Sequence, residues 1–407
     1  MANIVGLATG LSLLGDSALY TVLATHTADV GVGLASVGLL LSVNRFIRLG
    51  LNGPIGWLID RTSRRRVFVP ALYLGAFSTV TYALADGLTP MLVGRLMWGV
   101  SWAAVWVGGN TIILDVSRPG RRGRQVGAYH FSFFLGAAAG ALVGGLVTDW
   151  LGFDLAMLAA AMLAVVGAIV AHARLPETGR FSRAGALAQA EENSHPHLAD
   201  TDQRTQLASA MALFGTNRVV IAGIFVPTLG LYLAERFGST VRIAGLSVGN
   251  ASLTGAALSL STIGAMAATL FSGALSDRAR SRWIVVTAGI ISGLGGFVLL
   301  IGSNLLALPV GLAAVSLSSG SNQSLSTALV GDLTARQQQG VGLGALFTVG
   351  DLGSAIGPPL AFWLLPHIGV TGLYRICIVL LLVFLLLAAS WSWRQRAEQS
   401  ASIQQPG

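Results

Sequence analysis

Long apolar runs, each closed by a short polar break, follow one another from the first residue almost to the last. A bilayer-spanning helix needs about 20 mainly apolar residues. Twelve stretches meet that length: 4–26, 35–59, 67–86, 89–113, 124–149, 152–173, 217–236, 254–276, 283–303, 305–331, 340–364 and 370–393. The first opens on Met1-Ala-Asn-Ile, with no basic region, and is as long as a full span, so it reads as a transmembrane helix and not as a cleaved signal. Between spans six and seven lies a polar Ala/Ser/Glu-rich segment. The pattern predicts an all-α polytopic membrane protein: an N-terminal six-helix bundle (1–173), a cytoplasmic connector (174–216) read as a tether with one surface helix, a C-terminal six-helix bundle (217–396) and a short tail (397–407).

The two bundles are copies of one unit. Gly56, Leu58, Asp60, Arg61 and Arg65 recur 217 positions later as Gly273, Leu275, Asp277, Arg278 and Arg282. The same offset carries Asp115 to Asp332, Gly136 to Gly353 and Gly140 to Gly357 without an insertion. A shared register of that length marks an internal duplication and predicts two pseudo-symmetric halves.

Composition agrees with a bilayer: 53% of residues are hydrophobic and 10% charged. All 25 basic residues are arginine, and most sit at one end of the spans, in Arg61 to Arg66, Arg118 to Arg124, Arg278 to Arg282, Arg336, Arg394 and Arg396. Asp29, Asp86, Asp149, Asp154 and Glu235 lie at the other end. The positive-inside rule then places both termini and the connector in the cytoplasm, which for a bacterial chain means the plasma (inner) membrane. Those clusters also account for the net charge of +8 without a nucleic acid. Cys377, the single cysteine, lies inside the last span and forms no internal disulfide. His195-Pro-His197 has no further ligand pattern nearby, so neither a metal nor a cofactor is expected. No nucleotide loop or nucleophile-base pattern points to an enzyme, and there is no soluble output domain for a sensor.

Polar residues at mid-depth are the candidate functional positions, because a charge facing lipid there costs several kcal/mol, of the order of 3 or more. Span one carries Asp16 and Tyr20; span two carries Asn44, Arg45 and Arg48. The bland reading is that Asp16 neutralises Arg45 or Arg48; the sharper one is a cavity cluster. Arg95, a turn or two inside span four, either snorkels outward or faces the same cavity. The second half offers Asn322 and Gln323 in span ten, Asp351 in span eleven and Arg375 near the outer end of span twelve. Asp351, set between Gly350 and Leu352, is a candidate proton carrier; alternatively it is tied to Arg375 or caps a broken helix. Gly136, Gly140 and Gly144 in span five form a small-residue seam, and Gly353, Gly357 and Pro358 in span eleven form its counterpart, where the prolines should kink the helix.

These motifs resemble the major facilitator superfamily over the whole length. Gly56-x-Leu-x-Asp60-Arg61-x-x-Arg64-Arg65 is similar to that family's loop signature between spans two and three, with Ser63 where a glycine is usual. Arg95-x-x-x-Gly99 is similar to its span-four motif, and Gly127 to Gly145 to its antiporter signature, with Ala141 in place of the proline. The resemblance implies two bundles of inverted three-helix repeats that expose a central site alternately to each side. Gly56, Asp60, Arg61, Arg65, Asp115, Gly273, Asp277, Arg278 and Asp332 would then be architecture or gating latches at the cytoplasmic ends.

Proton-coupled efflux of a small organic molecule or drug is the leading expectation, by a monomer whose partners are its substrate, protons and the lipid bilayer. The alternative is a symporter or facilitator for uptake of an organic anion. Asp16, Arg45, Arg48, Arg95, Asp351 and Arg375 sum to four positive and two negative charges, a balance that suits an anionic group.

Overall fold

The apolar runs are helices in the computed structural model, which describes residues 1–117, 122–178, 201–243, 246–279, 281–302, 307–334 and 339–403. The first half comprises α1 (Ala2–Val22), α2 (Leu34–Arg61), α3 (Arg64–Ala83), α4 (Leu88–Val116), α5 (Arg122–Leu151) and α6 (Phe153–Arg174). In the second half, α7 (Thr201–Arg218) runs through a π-helical stretch, Val219–Phe225, into α8 (Val226–Phe237). Then come α9 (Asn250–Arg278), α10 (Arg282–Ile301), α11 (Ala307–Leu333) and α12 (Gln339–Ile403). Among the described residues, nine helical stretches are long and apolar enough to cross a membrane. Adding α3 and α11, of 20 and 27 residues, and counting the break at Gly369 inside α12 brings the spans to the expected twelve.

Three local features differ from the sequence reading. Residues 201–216, assigned to the connector, form helix α7, because Ala210, Leu213 and Phe214 bury one of its faces. The backbone stays helical through Pro358 and Pro359, and the non-helical residue of α12 is Gly369. Between α8 and α9 a hairpin pairs β1 (Thr240–Ile243) with β2 (Leu246–Gly249), antiparallel, with Thr240 opposite Gly249. The β-branched residues Thr240, Val241 and Ile243 were the signal for it. Arg118, Arg121, Arg280, Arg336 and His195-Pro-His197 lie outside the described residues, as do the side chains of Asp60, Arg122, Arg124 and Arg396.

The duplication is visible in the backbone. Gly152 (φ 88, ψ 169) joins α5 to α6, and Gly369 (φ 65, ψ 177), 217 positions on, joins spans eleven and twelve. That region of φ/ψ space is essentially open to glycine alone. The loop signature also acquires a local role, since Ser63 is the N-cap of α3, its hydroxyl accepting from the Arg66 N–H, and Ser281 caps α10 by accepting from Trp283 N–H. A serine replaces the usual glycine where a helix needs a side-chain acceptor.

The chain divides into two compact units, the first comprising Met1–Ser194 with Val226–Ser259 and Pro358–Trp363, the second His195–Phe225, Leu260–Gly357 and Leu364–Gly407. In the first, α1 and α5 meet along the small-residue seam. A Cβ on Gly136 would lie 2.6 Å from Gly10 Cα, one on Gly140 would lie 2.8 Å from Leu14 Cα, and one on Gly144 would overlap Ala18. Across the same unit, α9 lies against α5: Asp149 Oδ2 accepts from the Ser252 N–H at 2.7 Å, and Ser259 Oγ donates to the Ala138 carbonyl at 2.5 Å. The second unit has its own seam, with a Cβ on Gly353 lying 2.5 Å from the Gly215 carbonyl and the backbones of Gly223 and Gly357 in contact. Gly289, Gly293 and Gly296 of α10 pack on Ser321, Ser318 and Val315 of α11.

Candidate functional site

Two glycines let the mid-depth charges meet. A Cβ on Gly15 would overlap the Thr79 side chain, and one on Gly94 would lie 2.6 Å from the Tyr82 ring, so α1 and α4 both approach α3 closely just before Asp16 and Arg95. Asp16 and Arg95 then close an ion pair, Nη1 to Oδ1 at 2.5 Å, with the arginine side chain fully buried and the carboxylate 17% exposed. The pairing replaces the bland reading, in which Asp16 neutralises Arg45 or Arg48, and it removes the outward-snorkelling alternative for Arg95. Its other partners are neutral: Nε donates to the Leu40 carbonyl at 2.7 Å and Nη1 also reaches Tyr82 Oη at 3.5 Å, while Nη2 is buried with no hydrogen-bond partner among the described residues. Tyr82 is held in turn by Ser78 and by the Gly94 carbonyl.

Tyr20, a turn beyond Asp16 on α1, bridges to the second arginine. Its hydroxyl donates to the Leu41 carbonyl at 2.6 Å and accepts from Arg45 Nε at 3.2 Å, while the Arg95 and Arg45 guanidinium groups both lie over its ring, 5.3 and 5.6 Å from its centroid. Asp16, Tyr20, Arg45 and Arg95 are therefore one contiguous cluster. Asn44 is buried at the crossing of α2 with α4, where a Cβ on Gly99 would lie 2.9 Å from its carbonyl; Arg48, one turn on, is half-buried. In the second unit Asn322 is fully buried and donates to Ser318 Oγ at 3.3 Å, Gln323 is half-buried and Arg375 is exposed. Asp351 is half-buried, not enclosed, and its neighbour Leu352 is exposed.

A feature that sequence reasoning missed adjoins the cluster. Trp98, Trp102 and Trp106 follow Arg95 on one face of α4 and stack in series, with centroids 5.6 and 5.8 Å apart. From α5, Phe133 packs on Trp102 at 5.9 Å and edge-on to Trp106 at 5.3 Å, and the His130 imidazole stacks on Trp106 at 5.4 Å. Trp98 and Trp102 are buried, while Trp106, His130 and Phe133 are half-buried. The signal was the four-residue spacing of the tryptophans, which returns each indole to nearly the same side of a helix.

At the arginine-rich ends, buried Arg64 donates from Nε to Asp115 at 3.2 Å and from its backbone N–H to Glu177 at 3.1 Å, and it also reaches the Ile59 carbonyl. Glu177, just past α6, was not foreseen. Arg65 donates to the His172 carbonyl at 2.5 Å, and Arg61 lies over the Trp57 ring. In the other copy Arg282 takes both Asp332 (2.5 Å) and Asp277 (3.0 Å), whereas Arg278 is exposed. The register maps Arg65 onto Arg282, yet the partner of Asp115 is Arg64, so the two copies use different arginines. Gly56 and Gly273 of the loop signature have open space where a Cβ would stand among the described residues.

Duplicated sets of apolar helices, with buried charge at mid-depth and arginine ion pairs at one end, mark a polytopic membrane protein, and the comparisons place it more narrowly. The Major Facilitator Superfamily model matches residues 5–249 and 207–407, and the chain belongs to that family. A 3-(3-hydroxy-phenyl)propionate transporter of Escherichia coli is 29% identical over 75% of this chain and 72% of its own length. The 4-hydroxybenzoate transporter PcaK of Pseudomonas aeruginosa is 27% identical over 41% of this chain and 38% of its own. The first curated relatives are matched over less than two-fifths of their length, between 21% and 38%. Among solved structures, a bacterial homologue of the human lysosomal transporter Spinster superposes with a TM-score of 0.75, covering 97% of this chain and 96% of that one at 14% identity, which shows the fold. These relatives and structural neighbours are transporters, not enzymes.

Proposed function

We propose that this protein is a secondary transporter for a small aromatic carboxylate, working by alternating access and coupled to protons in a cytoplasmic (inner) membrane with both termini inside. The observation that carries the reading is the aromatic wall of α4 and α5, continuous with the arginine cluster. From Trp98 to Trp106 the wall spans about 12 Å of helix, long enough for a phenyl ring with a short acid side chain to lie alongside it. Half-buried Trp106 and Phe133 would receive the ring, and Arg45 and Arg48, three apart on one face of α2, would receive the carboxylate. Asp16 would carry the proton, because neutralising it releases Arg95 from its ion pair. The 29%-identical relative, whose name is that of a hydroxyphenylpropionate transporter, supports this substrate class.

Export of a drug-like molecule in exchange for protons is the second reading, favoured by the glycine series of α5. The seam against α1 already accounts for Gly136, Gly140 and Gly144 as packing, which moves the balance towards uptake of the anion with protons.

The test uses purified protein in proteoliposomes with an internal pH dye and labelled 3-phenylpropionate. Accumulation driven by an inward proton gradient, weakened about tenfold in Trp106→Ala and far less in Trp106→Phe, is the expected result. If no aromatic carboxylate moves under a gradient of either sign, the reading fails.

A further inference from the structure

Two ionisable rings pack on Trp106 in the aromatic wall among the described residues, His130 and Tyr129. His130 lies nearly flat on Trp106, at 23° between planes, next to Tyr129, whose ring turns towards Thr9 of α1 and whose hydroxyl accepts from the Thr9 hydroxyl at 3.5 Å. His130 stands about 12 Å along α5 from its start at Arg122, well inside the apolar part of the helix. An imidazole facing hydrocarbon at that depth would carry two polar nitrogens into lipid at considerable cost. The side chain is half-buried against the wall instead, and its described contacts are the Trp106 and Tyr129 rings; no described residue hydrogen-bonds its nitrogens. Trp98, Trp102, Trp106 and Phe133 offer apolar faces, and the Tyr129 hydroxyl is engaged by Thr9.

Resting on the aromatic-carboxylate reading, we propose that His130 is the specificity residue of this site: its free ring edge hydrogen-bonds a hydroxyl on the substrate's aromatic ring, so that the protein selects phenolic acids over their unsubstituted counterparts. The imidazole suits this because one nitrogen donates and the other accepts in the neutral form, and a phenol can use either. The stack on Trp106 fixes the plane of the imidazole, which keeps its nitrogens along the wall surface where a ring lying on Trp106 and Phe133 would carry its substituent.

The experiment compares kcat/KM for 3-phenylpropionate and its ring-hydroxylated analogue in proteoliposomes, for the wild type, His130→Phe and His130→Gln. The wild type should prefer the hydroxylated acid about fivefold or more, the worth of one neutral hydrogen bond in a dry site. His130→Phe, which keeps a stacking ring, should bring that ratio to about one. His130→Gln, which keeps a donor and an acceptor, should restore much of the preference. An unchanged ratio in His130→Phe, with both acids still transported, overturns the assignment and leaves the substrate class standing. Equal loss of both acids in His130→Phe and His130→Gln also overturns it, since that is the mark of a packing role. If the wild type transports neither acid, the aromatic-carboxylate reading falls and takes this inference with it.

Discussion

Asp16 and Arg95 provide the sharpest quantitative test of the site. Arg95 is fully buried and makes one charged contact, to a carboxylate that is 17% exposed, with the Leu40 carbonyl and Tyr82 hydroxyl as neutral partners. Removing one member of a buried pair costs about 3–5 kcal/mol because the other charge is stranded. The partial exposure of Asp16 argues for the low end, about 3 kcal/mol for Asp16→Ala. Asp16→Asn keeps an acceptor and gives up only the excess of a charged over a neutral hydrogen bond, about 1–1.5 kcal/mol. Arg95→Met takes the cation away, so Asp16→Ala in that background should cost little. The cycle should return a coupling of about 2–3 kcal/mol. At an unfolding entropy of about 2 cal/mol/K per residue, each kcal/mol moves the melting temperature of a chain this long by about 1 °C. Thermal unfolding in detergent, followed by tryptophan fluorescence, should therefore show Asp16→Ala about 3 °C below wild type, and the double variant well above the sum of the single losses. Strict additivity, with a coupling under about 0.5 kcal/mol, would falsify the claim that this pair holds Arg95 in place.

Two further outcomes follow from the packing. Gly136→Ala should cost about 1–3 kcal/mol in the same unfolding assay, since its Cβ would meet Gly10 2.6 Å away, whereas Gly127→Ala, with open space around it, should stay within about 0.5 kcal/mol of wild type; equal behaviour of the two would refute the seam. Asp149→Ala removes the carboxylate that accepts from the first turn of α9, a contact worth about 1 kcal/mol, so a cysteine placed at Ser252 should react with maleimide several-fold faster in that background, while buried Cys377 stays slow; an unchanged rate would show that Asp149 does not hold this end of α9.

Spans, duplication and family were legible because they rest on long-range regularities, apolar length and a repeated register, that no single contact can mask. The site was legible only as a set of positions. Asp16, Tyr20, Arg45 and Arg95 could be chosen by depth, but pairing Asp16 with Arg95 depends on how closely α1 and α4 approach α3, and that is set by Gly15 and Gly94 pressing on Thr79 and Tyr82. A sequence shows small residues without showing what they press against. The tryptophan series was present in the spacing of positions 98, 102 and 106, yet reads there as ordinary apolar filling of a span. His130 had no motif to advertise it. Gly56 and Gly273 illustrate the opposite error, because a signature glycine suggests contact and in this conformation meets open space.

The glycine turns at Gly152 and Gly369 bear on how the two copies diverged. A connection made by one residue in a conformation reserved for glycine has no slack: inserting or deleting a residue there would rotate the next helix by about 100° and carry its buried face into lipid. Side chains on either copy were free to drift, and the arginine partnered with Asp115 and that partnered with Asp332 did drift apart by a position. The reading frame between the copies was not free, and an offset of 217 still joins Gly56 to Gly273 and Gly152 to Gly369.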